Sequence, residues 1–172
     1  KTTLVFFISD NGGNTRSGGA SNSPLRGWKG QVFEGGVRVA AGVRWPGALP
    51  AGTISNQFMS VLDLLPTLAT AVGIEVQNDK IQHPLDGRNL WEELKGEAAI
   101  RPPEEYLVIG SDGAIALFDK EWKLIKNPED AMLFEIEQSP GETEDVADLY
   151  PDIVEAMSER IEEITQDVVD QL

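Results

Sequence analysis

The first apolar segment of the chain is continuous rather than alternating. Leu4–Ile8 is apolar at every position, which predicts a strand buried on both faces, as in a parallel sheet. A second segment, Val37–Val43, predicts another strand in which Arg38 interrupts the apolar run. Residues 12–36, between the two, are rich in Gly, Ser, Asn and Pro and predict a long loop. Loops longer than about 12–15 residues in compact domains are usually functional or disordered.

The middle of the chain predicts two helices. Asp63 is a plausible N-cap, apolar residues follow at helical spacing, and Gly73 is a natural stop. Pro66 is compatible with this start because proline is tolerated in the first turn of a helix. Pro84–Leu94 predicts a turn followed by a short helix, and the Pro-Pro pair within 101–103 predicts a linker.

After this linker, short apolar segments alternate with turns, which predicts an antiparallel meander. The predicted strands are Tyr106–Ile109, Ala114–Phe118, Trp122–Ile125 and Met132–Ile136. A last helix is expected from Pro151, with an apolar stripe made of Val154, Met157, Ile161, Ile164 and Val168. The stripe predicts a face that packs on the small sheet, and a partner surface is the alternative. We expect an α/β part over 1–98 and a small sheet-plus-helix unit over 99–172.

Negative charge is concentrated near the end of the chain. The net charge is −15, and residues 129–172 hold 15 of the 29 acidic side chains but only one basic residue, Arg160. Such a segment is repelled by nucleic acid and by anionic membranes, so we expect neither as a partner. A solvated helix face explains the charge most simply.

Other classes of protein are excluded by composition. The chain has no cysteine, which excludes disulfides, thiolate nucleophiles and cysteine-based zinc sites. No segment approaches the roughly 18 apolar residues that a membrane-spanning helix needs. The sequence leaves the compartment open.

Asp10 and Asn11 directly follow the first predicted strand and precede two glycines. In open α/β sheets, ligands bind beyond the carboxyl ends of the strands, and carboxylate and amide oxygens suit calcium or magnesium. A turn in which these side chains bond to their own backbone is the alternative. Because calcium takes about 6–8 oxygen ligands, two side chains supply only part of such a site.

Lys29 lies within the long loop, between Trp28 and Gly30. A neighbouring glycine permits close approach to a ligand, and a lysine offers a compact positive charge to an anionic group. A surface lysine without a ligand is the alternative. Arg26 and Arg38 are more simply explained by ion pairs or packing.

Acid–base and nucleophilic residues are sparse. His83 is the single histidine, and without an identifiable partner it is weak evidence for catalysis. The serines of 21–26 lie in a permissive loop, and nothing of the G-x-S-x-G type or a triad partner accompanies them.

The order of several motifs resembles the carboxyl-terminal half of the type I sulfatases, members of the alkaline-phosphatase-like superfamily. These motifs are ISDNGG, SNSPLRGWKGQVFEGGVRVA, WPG, VLDLLPTLATAVG and PLDGRNLWEELKG. The likeness covers residues 3–96 and continues more loosely into 122–156 through WKLI, LFEI and SPGETEDVADLYPDIV. The resemblance implies an α/β fold of the sulfatase type, followed by a small antiparallel sheet packed with a carboxyl-terminal helix.

The resemblance also implies roles for particular residues. In this family a formylglycine attacks the sulfur of a sulfate ester beside bound calcium. Asp10 and Asn11 would be two of the ligands of Ca²⁺ or another hard divalent cation, and Lys29 would contact the sulfate and stabilise charge near the leaving oxygen. Residues 34–38 match the family's EGG-x-R turn and would support the lysine loop.

Part of the expected site is missing from this sequence. The family's nucleophile motif, C-x-P-x-R or its serine version, is absent, and the similar spacing from 22 to 26 has Asn22 at the nucleophile position. We therefore expect a sulfatase portion that acts on sulfate esters when joined to an amino-terminal half. Alone, we expect it neither to hydrolyse esters nor to hold calcium tightly, and to self-associate through unpaired sheet edges. A phosphonate or phosphate ester hydrolase of the same superfamily and a non-catalytic interaction module are the alternatives.

Overall fold

A computed structural model describes residues 3–74, 76 and 85–170. The chain divides into two compact units, one formed by Lys1–Phe6 and Val43–Pro102, the other by Phe7–Gly42 and Pro103–Leu172. The change of unit after Pro102 falls in the linker predicted from sequence. The division into an α/β part over 1–98 and a small unit over 99–172 stays a prediction.

Two short strands pair near the start of the chain. Strand β1 (Val5–Ile8) and strand β2 (Ala41–Arg44) form a two-stranded sheet. The first strand is where the sequence predicts it, but its predicted burial is wrong. Phe7 is 70% exposed, because the described chain supplies only β2 as a neighbouring strand.

The second strand begins later than predicted. Glu34–Val37 is a single helical turn, α1, in which the N–H of Arg38 donates to the carbonyl of Glu34. The apolar character of Val37–Val43 therefore belongs to a helix end, a short connection and a strand. The sequence pattern did not predict this helix because α1 contains two glycines, and glycine disfavours helices.

The unit that contains residues 43–102 has two further helices, α2 (Leu64–Ala71) and α3 (Trp91–Lys95). Asp63 occupies the N-cap position of α2, as predicted, but its side chain makes no capping hydrogen bond to that helix. Its carboxylate accepts the N–H groups of Ser60 at 2.8 Å and Arg88 at 2.6 Å. It thereby closes a 3₁₀ turn before α2 and holds the segment that leads into α3.

The second unit contains the predicted meander. Its strands are β3 (Tyr106–Ile109), β4 (Ile115–Asp119), β5 (Trp122–Lys126) and β6 (Ala131–Glu135). They form one antiparallel four-stranded sheet in sequence order. The four predicted strands are confirmed to within two residues at their ends.

Helix α4 (Pro151–Asp170) covers one face of this sheet. Met157 and Ile161 are buried against a cross-strand row of leucines, which are Leu117, Leu124 and Leu133. Val154, Met157, Ile161 and Ile164 of the predicted stripe therefore form a packing face, and the side chain of Val168 lies outside the described part of the chain. No helix within residues 3–74, 76 and 85–170 is long and apolar enough to cross a bilayer.

The opposite face of the sheet carries a different row. Phe118, Lys123 and Phe134 are cross-strand neighbours and all three are buried. Because side chains alternate along a strand, this row points away from α4. Lys123 and Val32, a residue of the long loop, are each at most 1% exposed. The long loop is thus attached to the second face of the sheet through contacts described below.

Candidate active site

Asp10 and Asn11 form a turn directly after β1. The Oδ1 atom of Asp10 accepts the N–H of Asn11 at 3.0 Å, and the Nδ2 of Asn11 donates to the carbonyl of Gly12 at 2.9 Å. These are the local bonds of the predicted turn alternative. They leave the Oδ2 of Asp10 and the Oδ1 of Asn11 without a hydrogen bond from any residue in the described ranges. Two side-chain oxygens therefore remain available to a ligand.

Asn22 connects this turn to the long loop. Its Oδ1 accepts the N–H of Gly13 at 2.8 Å, and its Nδ2 donates to the carbonyls of Gly13 at 2.9 Å and Gly27 at 3.0 Å. Asn22 stands at the nucleophile position of the motif that resembles C-x-P-x-R. Here its amide oxygen accepts and its amide nitrogen donates hydrogen bonds that hold the backbone of the loop.

Lys29 has a fixed backbone and a free side chain. Its N–H donates to the carbonyl of Gly13 at 3.2 Å. The carbonyl of the next residue, Gly30, accepts two hydrogen bonds from Ser111, one from its N–H at 2.8 Å and one from its Oγ hydroxyl at 3.0 Å. The exposed ammonium group makes no hydrogen bond or ion pair within the described part of the chain. The structure therefore joins the lysine to the Asp10–Asn11 turn through the backbone of Gly13.

The loop around Lys29 is positively charged. Residues 11–33 contain no Asp or Glu. The Arg16 guanidinium lies 4.3 Å from the centre of the Trp28 ring, and that of Arg26 lies 4.0 Å from the centre of the Phe33 ring. Arg26 also donates to the carbonyl of Glu142 at 3.3 Å, so it has the packing role expected from sequence. The local field favours an anionic ligand.

The EGG turn is explained by close backbone approach. The N–H of Gly12 donates to the carbonyl of Gly36 at 2.9 Å, and a Cβ on Gly12 would lie 1.8 Å from the carbonyl oxygen of Gly35. A Cβ on Gly36 would lie 2.1 Å from the carbonyl oxygen of Gln31. No side chain fits at these contacts, so the close packing of α1 requires glycine at both positions.

A buried ion network lies beneath α1. The ammonium of Lys123 is 2.9 Å from Oε1 of Glu34 and 2.7 Å from Oε1 of Glu142. The side chains of Lys123 and Glu142 are fully buried, and that of Glu34 is 5% exposed. The second oxygen of Glu142 accepts the N–H of Glu34 at 2.7 Å. We call Lys123, Glu34 and Glu142 the buried triad.

Burial raises the pKa of Glu142, although the charge of Lys123 opposes this shift. Lys123 lies in the predicted strand Trp122–Ile125 and Glu142 in the SPGETEDVADLYPDIV motif, and neither was a predicted site residue. A lysine at an apolar position of a central strand was the available signal, since lysine is almost never fully buried without a partner.

The donor set suits a hard cation but is incomplete. Across residues 3–74, 76 and 85–170 there is no group of three or more His, Cys, Asp or Glu side chains placed to hold a metal. The paired oxygens of Asp10 and Asn11 have the chemistry that calcium prefers. His83 lies outside the described residues.

Solved structures of other proteins share this fold. The structure aligns with that of Ps i-CgsB over 95% of this chain and 36% of that chain, at 33% identity and a TM-score of 0.84. The PsFucS1 sulfatase from Pseudoalteromonas sp. shares the fold at 21% identity and a TM-score of 0.72, over 94% of this chain and 37% of that one. The fold is therefore the α/β fold of sulfatases in the alkaline-phosphatase-like superfamily.

Sequence comparison agrees. The sulfatase family model matches residues 1–74. Steryl-sulfatase of Mus musculus is 40% identical over 115 residues, which are 62% of this chain and 18% of that protein. A sulfatase of Formosa agariphila is 36% identical over 108 residues, 62% of this chain and 19% of that protein. The chain is therefore similar to sulfatases, and it spans about a fifth of the length of these curated relatives.

Proposed function

We propose that this chain supplies one part of a sulfatase active site, in which Asp10 and Asn11 bind a divalent cation and Lys29 contacts the sulfate group. One observation carries the proposal. The N–H of Lys29 and the amide of Asn22 both bond to Gly13. The Asp10–Asn11 turn and Lys29 thereby belong to one hydrogen-bonded unit. A sulfate bound beside a cation requires the cation ligands and a positive side chain to be held near each other in this way.

The cation would be held by the free oxygens of Asp10 and Asn11 together with ligands from outside the described residues. When bound, Ca²⁺ would supply fixed positive charge next to the sulfate. Lys29 would add a second positive charge on the same substrate group, at the position where the leaving oxygen becomes negative. The lack of acidic residues in 11–33 leaves this charge unopposed.

The direct test uses a full-length sulfatase that carries these 172 residues. We expect Lys29→Ala to reduce kcat/KM for an aryl sulfate by about 10²–10³, the usual effect of removing one charge-stabilising donor. Lys120→Ala is the matched control, because Lys120 is 66% exposed and 4.0 Å from Asp119, its only ion-pair partner in the described residues. Equal rates for the two variants would refute the role of Lys29.

The cation ligands are tested separately. Asp10→Asn keeps the shape of the side chain and removes its charge. We expect it to weaken calcium binding, measured by calorimetry on the full-length protein, and to raise the calcium concentration needed for half-maximal activity. Asp86→Asn, at an exposed position, is the control. An unchanged calcium dependence for Asp10→Asn would contradict the assignment.

A phosphate or phosphonate ester is the alternative substrate within the superfamily. Both ester classes present anionic oxygens to a cation and a lysine, so the described residues suit either one. Rates for aryl sulfate and aryl phosphate on the full-length enzyme decide between them. We expect the sulfate to react faster, because the relatives that the chain resembles are sulfatases.

The amino-terminal portion of a sulfatase is the partner we propose for the uncovered strands. In β1, Val5, Phe7 and Ile8 are between 43% and 70% exposed, which is unusual for three large apolar side chains in one strand. We expect the isolated 172-residue chain to self-associate and to be inactive. A monodisperse monomer in light scattering with cooperative thermal unfolding, or turnover of an aryl sulfate lost in Lys29→Ala, would contradict this.

A further inference from the structure

We propose that the buried triad positions the lysine loop against the Asp10–Asn11 turn, and that Glu142 is its key positioning residue. Within the described part of the chain, Glu142 makes no hydrogen bond or ion pair with Asp10 or Lys29, and it acts through the backbone of α1. The structural part of this inference stands alone, whereas its effect on catalysis rests on the proposed function.

Glu142 is the member of the triad that needs both carboxylate oxygens. Oε1 accepts from Lys123 at 2.7 Å and Oε2 accepts the N–H of Glu34 at 2.7 Å. Glu34 offers only Oε1 to Lys123, at 2.9 Å, and its Oε2 lies 3.7 Å from the largely exposed guanidinium of Arg38. The two glutamates are chemically alike, but a neutral side chain would lose more at 142 than at 34. Glu142 accepts with both carboxylate oxygens, whereas Glu34 uses one oxygen for Lys123.

A continuous set of backbone bonds leads from the triad to the candidate active site. The N–H held by Glu142 is that of Glu34, the first residue of α1. The N–H of Gly35 donates to the carbonyl of Arg26 at 2.6 Å, and the carbonyl of Gly36 accepts the N–H of Gly12 at 2.9 Å. α1 thus touches the lysine loop on one side and the turn after β1 on the other.

Stability alone is a poor explanation of the triad. Two carboxylates and one ammonium are buried together, and replacing such groups with apolar residues of similar volume is often neutral or stabilising. Lys123 is also 4.6 Å from the centre of the Phe118 ring, in a row that could be wholly apolar. What the triad supplies, and apolar side chains could not, is an acceptor for the Glu34 N–H at a fixed position.

The test compares Glu142→Gln with Glu34→Gln in a full-length sulfatase that carries these residues. Each change removes one buried negative charge and keeps the side-chain shape. A glutamine at 142 has one acceptor for two donors, whereas a glutamine at 34 can still accept from Lys123. Hydrogen exchange of the segment 33–37 and steady-state kinetics are measured for both variants, with exchange in β4–β6 as the internal reference.

We expect Glu142→Gln to speed exchange in 33–37 by about tenfold to a hundredfold, as the loss of a hydrogen bond to a charged group implies, with β4–β6 unchanged. Its kcat should fall at least about tenfold with little change in KM, because Lys29 acts on the transition state. Glu34→Gln should change both readouts less than Glu142→Gln does, because a neutral side chain at this position can still accept from Lys123.

Equal effects of the two variants on exchange would overturn the proposal. So would faster exchange throughout β4–β6 in Glu142→Gln, or failure of that variant alone to fold, since the network would then hold the whole unit. Altered exchange in 33–37 with unchanged kinetics would refute the catalytic part only. Failure of the proposed function itself is seen separately, as an unaltered rate in Lys29→Ala.

Discussion

The side-chain amide of Asn22 bonds to both polar backbone groups of Gly13, at 2.8 Å and 2.9 Å. This closed pair fixes the separation between the long loop and the turn that carries Asp10 and Asn11. The carbonyl of Gly13 also accepts the N–H of Lys29. Through Gly13, Asn22 therefore links the loop that carries Lys29 to the segment that follows Asp10 and Asn11.

Replacing Asn22 with alanine removes bonds to Gly13 and Gly27. We expect Asn22→Ala to lower the free energy of unfolding by about 1–3 kcal/mol, the cost of leaving partly buried backbone groups unpaired. Asn22→Asp keeps the acceptor and loses the donors, so an intermediate loss is expected. Urea unfolding of the full-length protein measures both. Asn14→Ala, at an exposed turn, is the control and should change stability by less than about 0.5 kcal/mol.

A single methyl group at Gly12 tests the packing of α1. The new Cβ would lie 1.8 Å from the carbonyl oxygen of Gly35, so the turn and α1 must move apart. We expect Gly12→Ala to destabilise the protein by several kcal/mol, about the cost of overpacking a rigid backbone contact. Gly42→Ala is the matched control, since nothing lies within 4 Å of the Cβ it would add. A Gly12→Ala protein as stable as Gly42→Ala would contradict the contact.

The sequence predicted elements well where one periodicity ran without interruption. Helix α4 and the four strands of the meander have regular apolar spacing, and their predicted positions are confirmed. The α1 turn was missed because it consists of two glycines between two other residues, held by tertiary contacts rather than by helix propensity. Such an element has no local signal.

The candidate site was only partly predictable for a similar reason. Asp10, Asn11 and Lys29 could be selected because they lie in short motifs with recognisable chemistry. The buried triad joins positions 34, 123 and 142, which no spacing rule connects. Asn22 was noted only for the nucleophile position that it occupies. Its hydrogen bonds to Gly13 and Gly27 depend on the folded path of the loop. Long-range polar contacts of this kind become visible only in three dimensions.

The packing of α4 on the small sheet makes a separate prediction. Ile161 is 2% exposed and packs in the cluster that contains Leu117 and Leu124. We expect Ile161→Ala to lower the free energy of unfolding by about 2–5 kcal/mol, the usual range for a cavity made in a core. Glu159→Ala, on the exposed face of the same helix, is the control for helix propensity. Comparable stability of the two variants in denaturant unfolding would show that α4 does not pack as described.

An ion pair between Glu105 and Arg160 gives the stability a defined pH dependence. The Nε and Nη2 atoms of Arg160 donate to the two carboxylate oxygens of Glu105 at 2.7 Å and 2.9 Å, and these bonds lower the pKa of Glu105. A carboxyl group whose pKa is lower in the folded than in the unfolded state contributes stability at neutral pH. That contribution is lost as the pH falls through the lowered value.

We therefore expect Glu105→Gln to cost at most about 1 kcal/mol at pH 7, since both side chains are partly exposed. The difference from the parent should vanish at pH values below the lowered pKa of Glu105, and it should shrink in about 1 M salt because the charges are then screened. Urea unfolding of parent and variant between about pH 2 and pH 7 measures this, with Glu159→Gln as the control. A difference that stays constant across that range would mean that Glu105 stabilises the fold by its shape and packing, and that its charge contributes nothing.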